Sequence, residues 1–111
     1  MSITRGKLRS PTAAPVTGEE TDVLAAAGGW RIEQILSGRL LGPVENRLDH
    51  CEWVVVLDGS ATLEVDGTIE SLESGDWVLL DEGVPHRVLS TRTGTNWLAV
   101  HLPPGAGGPA S

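Results

Sequence analysis

Hydrophobic and polar residues alternate along much of this chain, in short runs that turn-forming residues separate. The clearest runs lie at 30–36, 53–57 and 77–80. A period of two places successive side chains on opposite faces of a β-strand. The pairs Asp58-Gly59 and Asp66-Gly67 are typical of tight turns between strands. The pattern therefore predicts a series of short antiparallel strands.

The expected elements follow one another with little helix between them. One helical turn is expected at 22–27, ended by Gly28 and Gly29. Strands are expected at 30–36, around 40–41, in a hairpin from 52 to 65 that turns at 58–59, and at 68–72, 77–80, 87–89 and 96–102. Seven or more short strands predict an all-β fold, an antiparallel β-barrel or jelly roll.

The length of 111 residues predicts a single domain. We expect a β-barrel at 21–103, flanked by flexible tails at 1–20 and 104–111 that lack apolar periodicity. The side chains expected to be largely buried in the barrel are Val54, Val56, Leu63, Val65, Val78, Leu80, Val88 and Leu98.

A polar cluster stands directly before the apolar run at 53–57. It consists of Asp49, His50 and Glu52. In a regular strand His50 and Glu52 share one face with alternate valines, and the other face is also largely apolar. Such a strand lines a barrel interior on one side and packs on a neighbouring layer on the other. The head of this strand is therefore a candidate site.

Composition and charge exclude several classes of partner. The formal net charge is -7, which repels phosphate backbones and anionic lipid surfaces, so neither nucleic acid nor a membrane is an expected partner. Cys51 is the single cysteine, and we expect it to be a small buried hydrophobe without a disulfide. No apolar segment near the N-terminus is long enough for a secretory signal. We expect a soluble, cytoplasmic protein.

Two short motifs resemble those of the cupin superfamily, in particular its small single-domain members. Glu52 and Gly59, in EWVVVLDG, have the spacing that ends the first cupin motif. Gly75, Gly83 and His86 match the second motif, which opens with Gly and ends in His after a strand and a turn. The resemblance covers about residues 30–102. It implies a cupin β-barrel with a small-molecule site around Glu52 and His86.

The first motif departs from the pattern of metal-binding cupins. Such cupins usually carry His-x-His three or four residues before the glutamate that corresponds to Glu52. Those positions fall on Asn46 and Leu48 or on Glu45 and Arg47, and none of them is histidine. The resemblance therefore supplies only two of the four usual metal ligands.

A divalent metal needs three or four converging nitrogen and oxygen ligands. His50 lies two residues before Glu52 and is a candidate to complete the set, as is His101. His101 faces the interior only if Trp97 and Ala99 do so as well. The sequence does not distinguish Zn, Fe, Mn and Ni. The candidate metal ligands are Glu52, His86, His50 and His101.

Two functions of different classes fit this site. The first is an enzyme that isomerises or epimerises a small polar or carboxylated molecule, with or without a metal, using Glu52 and His86 as catalytic base and acid. His50, Arg87 and His101 would bind that ligand. The second is a cupin that binds or senses a small molecule without chemistry or metal, which the loss of His-x-His favours. Convergence of three or more of the candidate metal ligands would distinguish the two.

Glu52 also has a purely structural interpretation. A carboxylate inside a barrel is costly unless it has a partner, and Arg87 or Arg47 could provide an ion pair. In that case Glu52 would stabilise the fold and take no part in binding.

The run WRIEQIL at 30–36 predicts an interface as well as a strand. Trp30, Ile32 and Leu36 fall on one face, and Arg31 and Glu33 fall on the other. The apolar face suits addition of this strand to a partner's sheet, and the cupins that the chain resembles commonly pair in this way. We therefore expect a homodimer.

Overall fold

The computed structural model describes residues 2–46 and 48–103. In this part of the chain the secondary structure consists of one 3-10 turn, Pro11–Ala13, and nine strands. The strands are β1 Glu19–Ala27, β2 Trp30–Ser37, β3 Val44–Asn46, β4 Glu52–Asp58, β5 Ser60–Val65, β6 Thr68–Glu73, β7 Trp77–Leu80, β8 His86–Thr91 and β9 Thr95–His101. The expected all-β fold with little helix is confirmed.

Two antiparallel sheets enclose the core. The larger sheet has the strand order β1-β2-β9-β4-β7, and the smaller has the order β3-β8-β5-β6. Neighbouring strands in both are antiparallel, and the arrangement is that of a jelly roll. The buried hydrophobic side chains between the sheets are Val54, Val56, Ala61, Leu63, Leu72, Trp97 and Ala99.

Most of the predicted core residues lie where they were expected. Val54, Val56, Leu63 and Leu80 are buried, and the remaining three interior valines, at positions 65, 78 and 88, pack against them while partly exposed. Leu98 is the exception, because Trp97 and Ala99 are the β9 residues that enter the core. Side chains alternate along a strand, so Leu98 lies on the outer face of the larger sheet.

The segment at 22–27 is a strand, and the predicted helical turn there is wrong. β1 pairs with β2 from Glu19 opposite Ser37 to Ala27 opposite Trp30. Gly28 and Gly29 form the two-residue turn of this hairpin and do not end a helix. Alanine favours helix, but a segment of six residues is too short for a stable isolated helix, and the hydrogen bonds to β2 outweigh this local preference.

The predicted hairpin at 52–65 is also wrong, although both of its strands exist. β4 pairs with β7 and β9 in the larger sheet, and β5 pairs with β6 and β8 in the smaller one. Gly59 connects the sheets with a φ of +97°, and a Cβ atom there would lie 2.8 Å from the Thr95 Cα atom. By contrast, Asp66 and Gly67 form a true two-residue hairpin turn, with Val65 opposite Thr68.

The segment after β2 differs from the expectation of a strand at 40–41. Arg39 forms an isolated bridge with Thr17, and the next strand is β3. Within the predicted N-terminal tail, the Arg9 amide donates a hydrogen bond to Gln34 Oε1 and its carbonyl accepts one from Gln34 Nε2, both at 2.9 Å. The predicted C-terminal tail at 104–111 lies outside the described residues, and the domain boundaries stay predictions.

Among the described residues, no helix is long and apolar enough to cross a membrane. β2 lies between β1 and β9, so it has no free edge for a partner strand. The predicted addition of residues 30–36 to a partner's sheet is therefore wrong, because β1 already occupies that edge. The expected cytoplasmic location stays a prediction.

Candidate functional site

A row of polar side chains crosses three neighbouring strands at one end of the larger sheet. Glu52 on β4 is the register partner of His101 on β9, and His101 is the partner of Arg31 on β2. Directly paired residues of antiparallel strands have their side chains on the same face. Val54 and Ala99 continue this face into the core, so the row belongs to the barrel interior.

His101 is the centre of a chain of hydrogen bonds. Its Nε2 lies 2.6 Å from Glu33 Oε1, and its Nδ1 lies 2.8 Å from His50 Nε2. His50 Nδ1 lies 2.8 Å from Asp49 Oδ1. The condition for an interior His101 is met, because Trp97 and Ala99 are buried on the same strand. The chain links a 7% exposed histidine to Asp49, a carboxylate at the surface.

The number of protons on the two histidine rings follows from the carboxylates at the two ends of this series of hydrogen bonds. Glu33 and Asp49 accept hydrogen bonds as carboxylates, so His101 Nε2 and His50 Nδ1 both donate. The contact between the two imidazoles needs one further N–H. The pair therefore carries three protons and one positive charge when all three hydrogen bonds are made. The hydrogen bond from His50 also holds the pKa of Asp49 below its ordinary value.

Glu52 and His86 line one small cavity between the sheets. Its volume is about 70 Å³, and Val54, Leu63 and Leu80 form part of its apolar wall. β4 and β8 belong to opposite sheets, so Glu52 and His86 line this cavity from two sides. Glu52 Oε2 lies 3.7 Å from His101 Nδ1, within ion-pair distance.

His86 is 8% exposed, and one nitrogen of its ring makes a hydrogen bond with the backbone. Its Nδ1 lies 3.2 Å from the Val84 carbonyl oxygen, to which it donates a hydrogen bond. That contact leaves Nε2 for another group. His86 also lines a larger groove of about 650 Å³, whose other lining residues are Glu45, Glu64, Asp66, Gly67, Pro85 and Arg87.

Arg87 pairs with residues other than Glu52. Its Nε and Nη2 atoms donate to the two oxygens of Glu64 at 3.1 and 3.2 Å, and its Nη1 lies 3.7 Å from Glu45 Oε1. The hydrogen bonds and charge of Glu64 raise the pKa of Arg87 above its ordinary value. The predicted ion pair of Glu52 with Arg87 is therefore wrong. The alternative partner, Arg47, lies outside the described residues.

Comparison with known families and structures decides the family. A model of the cupin domain matches residues 35–101, more than half of the chain. The chain belongs to the cupin family. No protein with curated annotation matches this cupin.

Three solved structures show how this cupin relates to others. It is 32% identical, with a TM-score of 0.73, to a protein from Ralstonia eutropha JMP134 that is provisionally named a mannose-6-phosphate isomerase, over 88% of this chain and 99% of that one. It is 18% identical, with a TM-score of 0.73, to the conserved protein SPY1581 of unknown function from Streptococcus pyogenes, over 94% and 93%. It is 17% identical, with a TM-score of 0.70, to an RmlC-like cupin from Shewanella frigidimarina NCIMB 400, over 89% and 92%.

The side chains of this cupin do not form a metal-binding set as they stand. Both ring nitrogens of His50 and of His101 take part in hydrogen bonds, so neither histidine has a free lone pair to donate. Glu52 and His86 are the other two candidates. Among the described residues, no group of three or more His, Cys, Asp or Glu side chains is arranged so that it could hold a metal ion. The four candidate ligands thus share one end of this cupin without forming a coordination shell.

Sequence reasoning missed Glu33 and Arg31. The alternation at 30–36 grouped them on the polar face of their strand, away from Trp30 and Ile32. In this cupin that face is the interior one, because Ile35 packs against the core and pairs with Trp97. Arg31, Glu33 and Ile35 are two residues apart and share one face of the strand. The apolar Ile35 was therefore the feature of the sequence that could have indicated an inward position for the two charged residues.

Proposed function

We propose that this cupin binds a small polar molecule at the Glu52 end of the barrel and moves a proton on it, as an isomerase or epimerase does. The cavity shared by Glu52 and His86 carries this proposal. A carboxylate and an imidazole that face one largely apolar space are the groups that general base and acid catalysis uses.

The proposed reaction needs two proton transfers that balance. Glu52, as a carboxylate, takes the proton from the carbon next to the substrate carbonyl and returns it to the former carbonyl carbon on the same face of the enediol. His86, protonated at Nε2 as well as at Nδ1, donates to the carbonyl oxygen and recovers a proton when the new carbonyl forms. His101, 3.7 Å from Glu52, holds the carboxylate on this side of the cavity. No step uses a metal, because the donor set does not fit one.

The similarity to the Ralstonia protein supports the reaction class. That protein is named for an isomerase, and it is 32% identical to this cupin over nearly the full length of both chains. Aldose–ketose isomerisation is a proton transfer next to a carbonyl, which is the chemistry that a glutamate and a histidine can perform. We take only the reaction class from this similarity.

A panel of aldoses and ketoses in deuterium oxide tests the proposal. Proton NMR follows the exchange of the hydrogen next to the carbonyl. We expect exchange with the wild-type protein and a loss of about a hundredfold or more in Glu52→Gln and in His86→Asn. Glu70→Gln is the matched control, because Glu70 is exposed on β6. Exchange that survives in Glu52→Gln would contradict the proposed role of Glu52.

A second candidate function is binding without chemistry, as in a small-molecule sensor. One observation favours it: the candidate metal ligands do not form a group that could hold a metal ion. In this case the same panel would stabilise the protein against heating without any hydrogen exchange. Glu52→Gln would then weaken binding and change no rate.

We also propose a homodimer, formed through the outer face of the larger sheet. This face is uncharged across β4, β7 and the middle of β9, where its side chains are Trp53, Val55, Leu57, Trp77, Leu79, Leu98 and Val100. Trp77 is 57% exposed. Two copies, each with a net charge of -7, repel one another, so we expect them to associate through this uncharged surface. A two-fold axis would place the surface of one copy against the same surface of the other. In sedimentation experiments we expect the wild type to be a dimer and Trp77→Glu to be a monomer. A monomeric wild type at micromolar concentration would contradict the proposed dimer.

A further inference from the structure

Glu19 is a second carboxylate of the cavity that contains Glu52 and His86. It lines this cavity from the first residue of β1, where it pairs with Ser37, the last residue of β2. Ser37 in turn pairs with Thr95 at the start of β9, whereas Glu52 pairs with the last residue of β9. The two carboxylates therefore reach the cavity from opposite ends of the larger sheet.

A series of hydrogen bonds holds one oxygen of Glu19 in place. Glu19 Oε2 accepts a hydrogen bond of 2.8 Å from the Ser37 hydroxyl, and Ser37 Oγ accepts one of 3.0 Å from the Trp97 indole N–H. Ser37 and Trp97 are both buried. The backbone before Glu19 is also held, because the Gly18 carbonyl accepts a hydrogen bond of 2.8 Å from the Gly38 amide. A carboxylate fixed in this way loses little conformational entropy when it binds a ligand.

The other oxygen of Glu19 is available to a ligand. Glu19 Oε1 has no hydrogen-bond partner among the described residues, and Glu19 is exposed although it lines the cavity. The ion pairs of Arg9 are with Glu20 and Asp22, on the opposite face of β1. Glu19 thus lies where the cavity meets solvent, with an oxygen that can accept a further hydrogen bond.

The polar groups of this cavity disfavour an anionic ligand. Glu19 and Glu52 contribute two carboxylates, His86 contributes an imidazole, and no Arg or Lys is among the described lining residues. His101 lies 3.7 Å from Glu52, so the cation nearest to the cavity is at the end away from Glu19. A carboxylate accepts hydrogen bonds from hydroxyl and ammonium groups and repels another carboxylate or a phosphate.

We propose that Glu19 is a ligand-binding residue, and that the ligand of this cupin is a small uncharged or positively charged molecule whose hydroxyl or ammonium group binds Glu19 Oε1. This inference rests on the proposed function, because it names the substrate class of the same cavity. In the proposed reaction Glu52 and His86 act on the carbonyl end of the substrate, and Glu19 holds the opposite end.

Three small probes and three proteins test the role of Glu19. Ethylene glycol, ethanolamine and glycolate share a hydroxyl group and differ in the charge of the other end. Each is titrated at neutral pH into the wild type, Glu19→Gln and Glu20→Gln. NMR follows the indole N–H signal of Trp97, which is linked to Glu19 through Ser37. Glu20→Gln is the matched control, because it removes the same charge from the next residue of β1, on the face that Arg9 contacts.

We expect ethanolamine and ethylene glycol to shift the Trp97 indole signal of the wild type, and glycolate to leave it unchanged. Ethanolamine should bind Glu19→Gln about tenfold more weakly than Glu20→Gln, which corresponds to one lost charge-assisted hydrogen bond. The dispersion of the amide signals confirms that each variant is folded.

The outcomes for Glu19 and for the proposed function can be told apart. Absence of ethanolamine binding to the wild type, equal affinities in the two variants, or glycolate binding to the wild type would overturn the inference. The proposed function would still stand if the wild type exchanges the hydrogen next to a sugar carbonyl and Glu52→Gln does not. A loss of ethanolamine affinity confined to Glu19→Gln, in a protein that exchanges no such hydrogen, would support the role of Glu19 and count against the proposed function.

Discussion

His101 shows how one side chain can join distant parts of the chain into a site. It contacts Glu33, His50 and Glu52 through its two ring nitrogens while only 7% of the residue is exposed. A buried imidazole in such a position stabilises the fold only while its partners are present, since an unpaired buried polar group is costly. The contact with Glu52 also positions that carboxylate beside the cavity.

Replacing His101 by Ala is therefore expected to destabilise the protein. The substitution removes the hydrogen-bond donor of Glu33 Oε1 on a largely buried carboxylate, while Glu33 Oε2 keeps its ion pair with Arg31 Nε at 3.0 Å, so we expect a loss of about 1–3 kcal/mol in the free energy of unfolding. His50→Ala is the comparison, and its effect should be smaller because its partner Asp49 is 91% exposed and stays hydrated. Urea denaturation measures both. Equal losses in the two variants would contradict the expectation that the buried end of the hydrogen-bond chain contributes more to stability than the exposed end.

Asp49 provides a pH test of the outer end of the chain. Its pKa is lowered mainly by the hydrogen bond from His50, so the folded protein keeps this carboxylate ionised below its ordinary value of 3.8. The associated stability is present above that value and is lost as the pH falls through the lower, folded pKa. Carbon NMR of the Asp49 carboxyl measures the titration. His50→Ala should return the midpoint towards the ordinary value; an unchanged midpoint would remove His50 as the cause.

At the scale of elements, two identical Asp-Gly pairs have different roles. Asp66-Gly67 closes the hairpin between β5 and β6, whereas Asp58-Gly59 carries the chain from the larger sheet to the smaller one. Local residues predict a turn at both places equally well. The partner of the next strand depends on β8 and β9, which lie far along the chain, so the pairing could not be predicted from the turn itself.

The two glycines of these turns provide a matched pair of substitutions. Gly59→Ala places a Cβ 2.8 Å from the Thr95 Cα atom at a φ of +97°, whereas Gly67→Ala has a φ of +85° and meets nothing within 4 Å. Both substitutions strain the backbone, at a cost of about 1 kcal/mol or more, and only Gly59→Ala adds a clash with a neighbouring strand. We expect Gly59→Ala to have the lower melting temperature in calorimetry. Equal melting temperatures would mean that the crossing between sheets tolerates a side chain.

At the scale of the whole molecule, the fold was more predictable than the site. Alternating runs and turn residues predicted most of the strands but neither β1 nor β3, and the resemblance of two motifs implied that Glu52 and His86 would share a pocket. The contact between His101 and Glu33 joins residues 68 positions apart, and it depends on β2 lying beside β9. That pairing of β2 with β9 is a property of the jelly roll as a whole, so Ile35 could indicate that Glu33 points inward but not that His101 is its partner.

Amide NMR with bound fragments tests whether the end of the barrel between Glu52 and His86 binds the ligand. Small hydroxylated and amine-bearing compounds are titrated into the wild type and into Glu52→Gln. We predict that signals of residues 52, 54, 80, 86 and 101 shift in the wild type and that Glu52→Gln abolishes these shifts. A second groove lies around Gly59, Arg92 and Gly94, at the other end of β4. Shifts confined to that groove, with Glu52→Gln behaving as the wild type, would show that the ligand does not bind between Glu52 and His86.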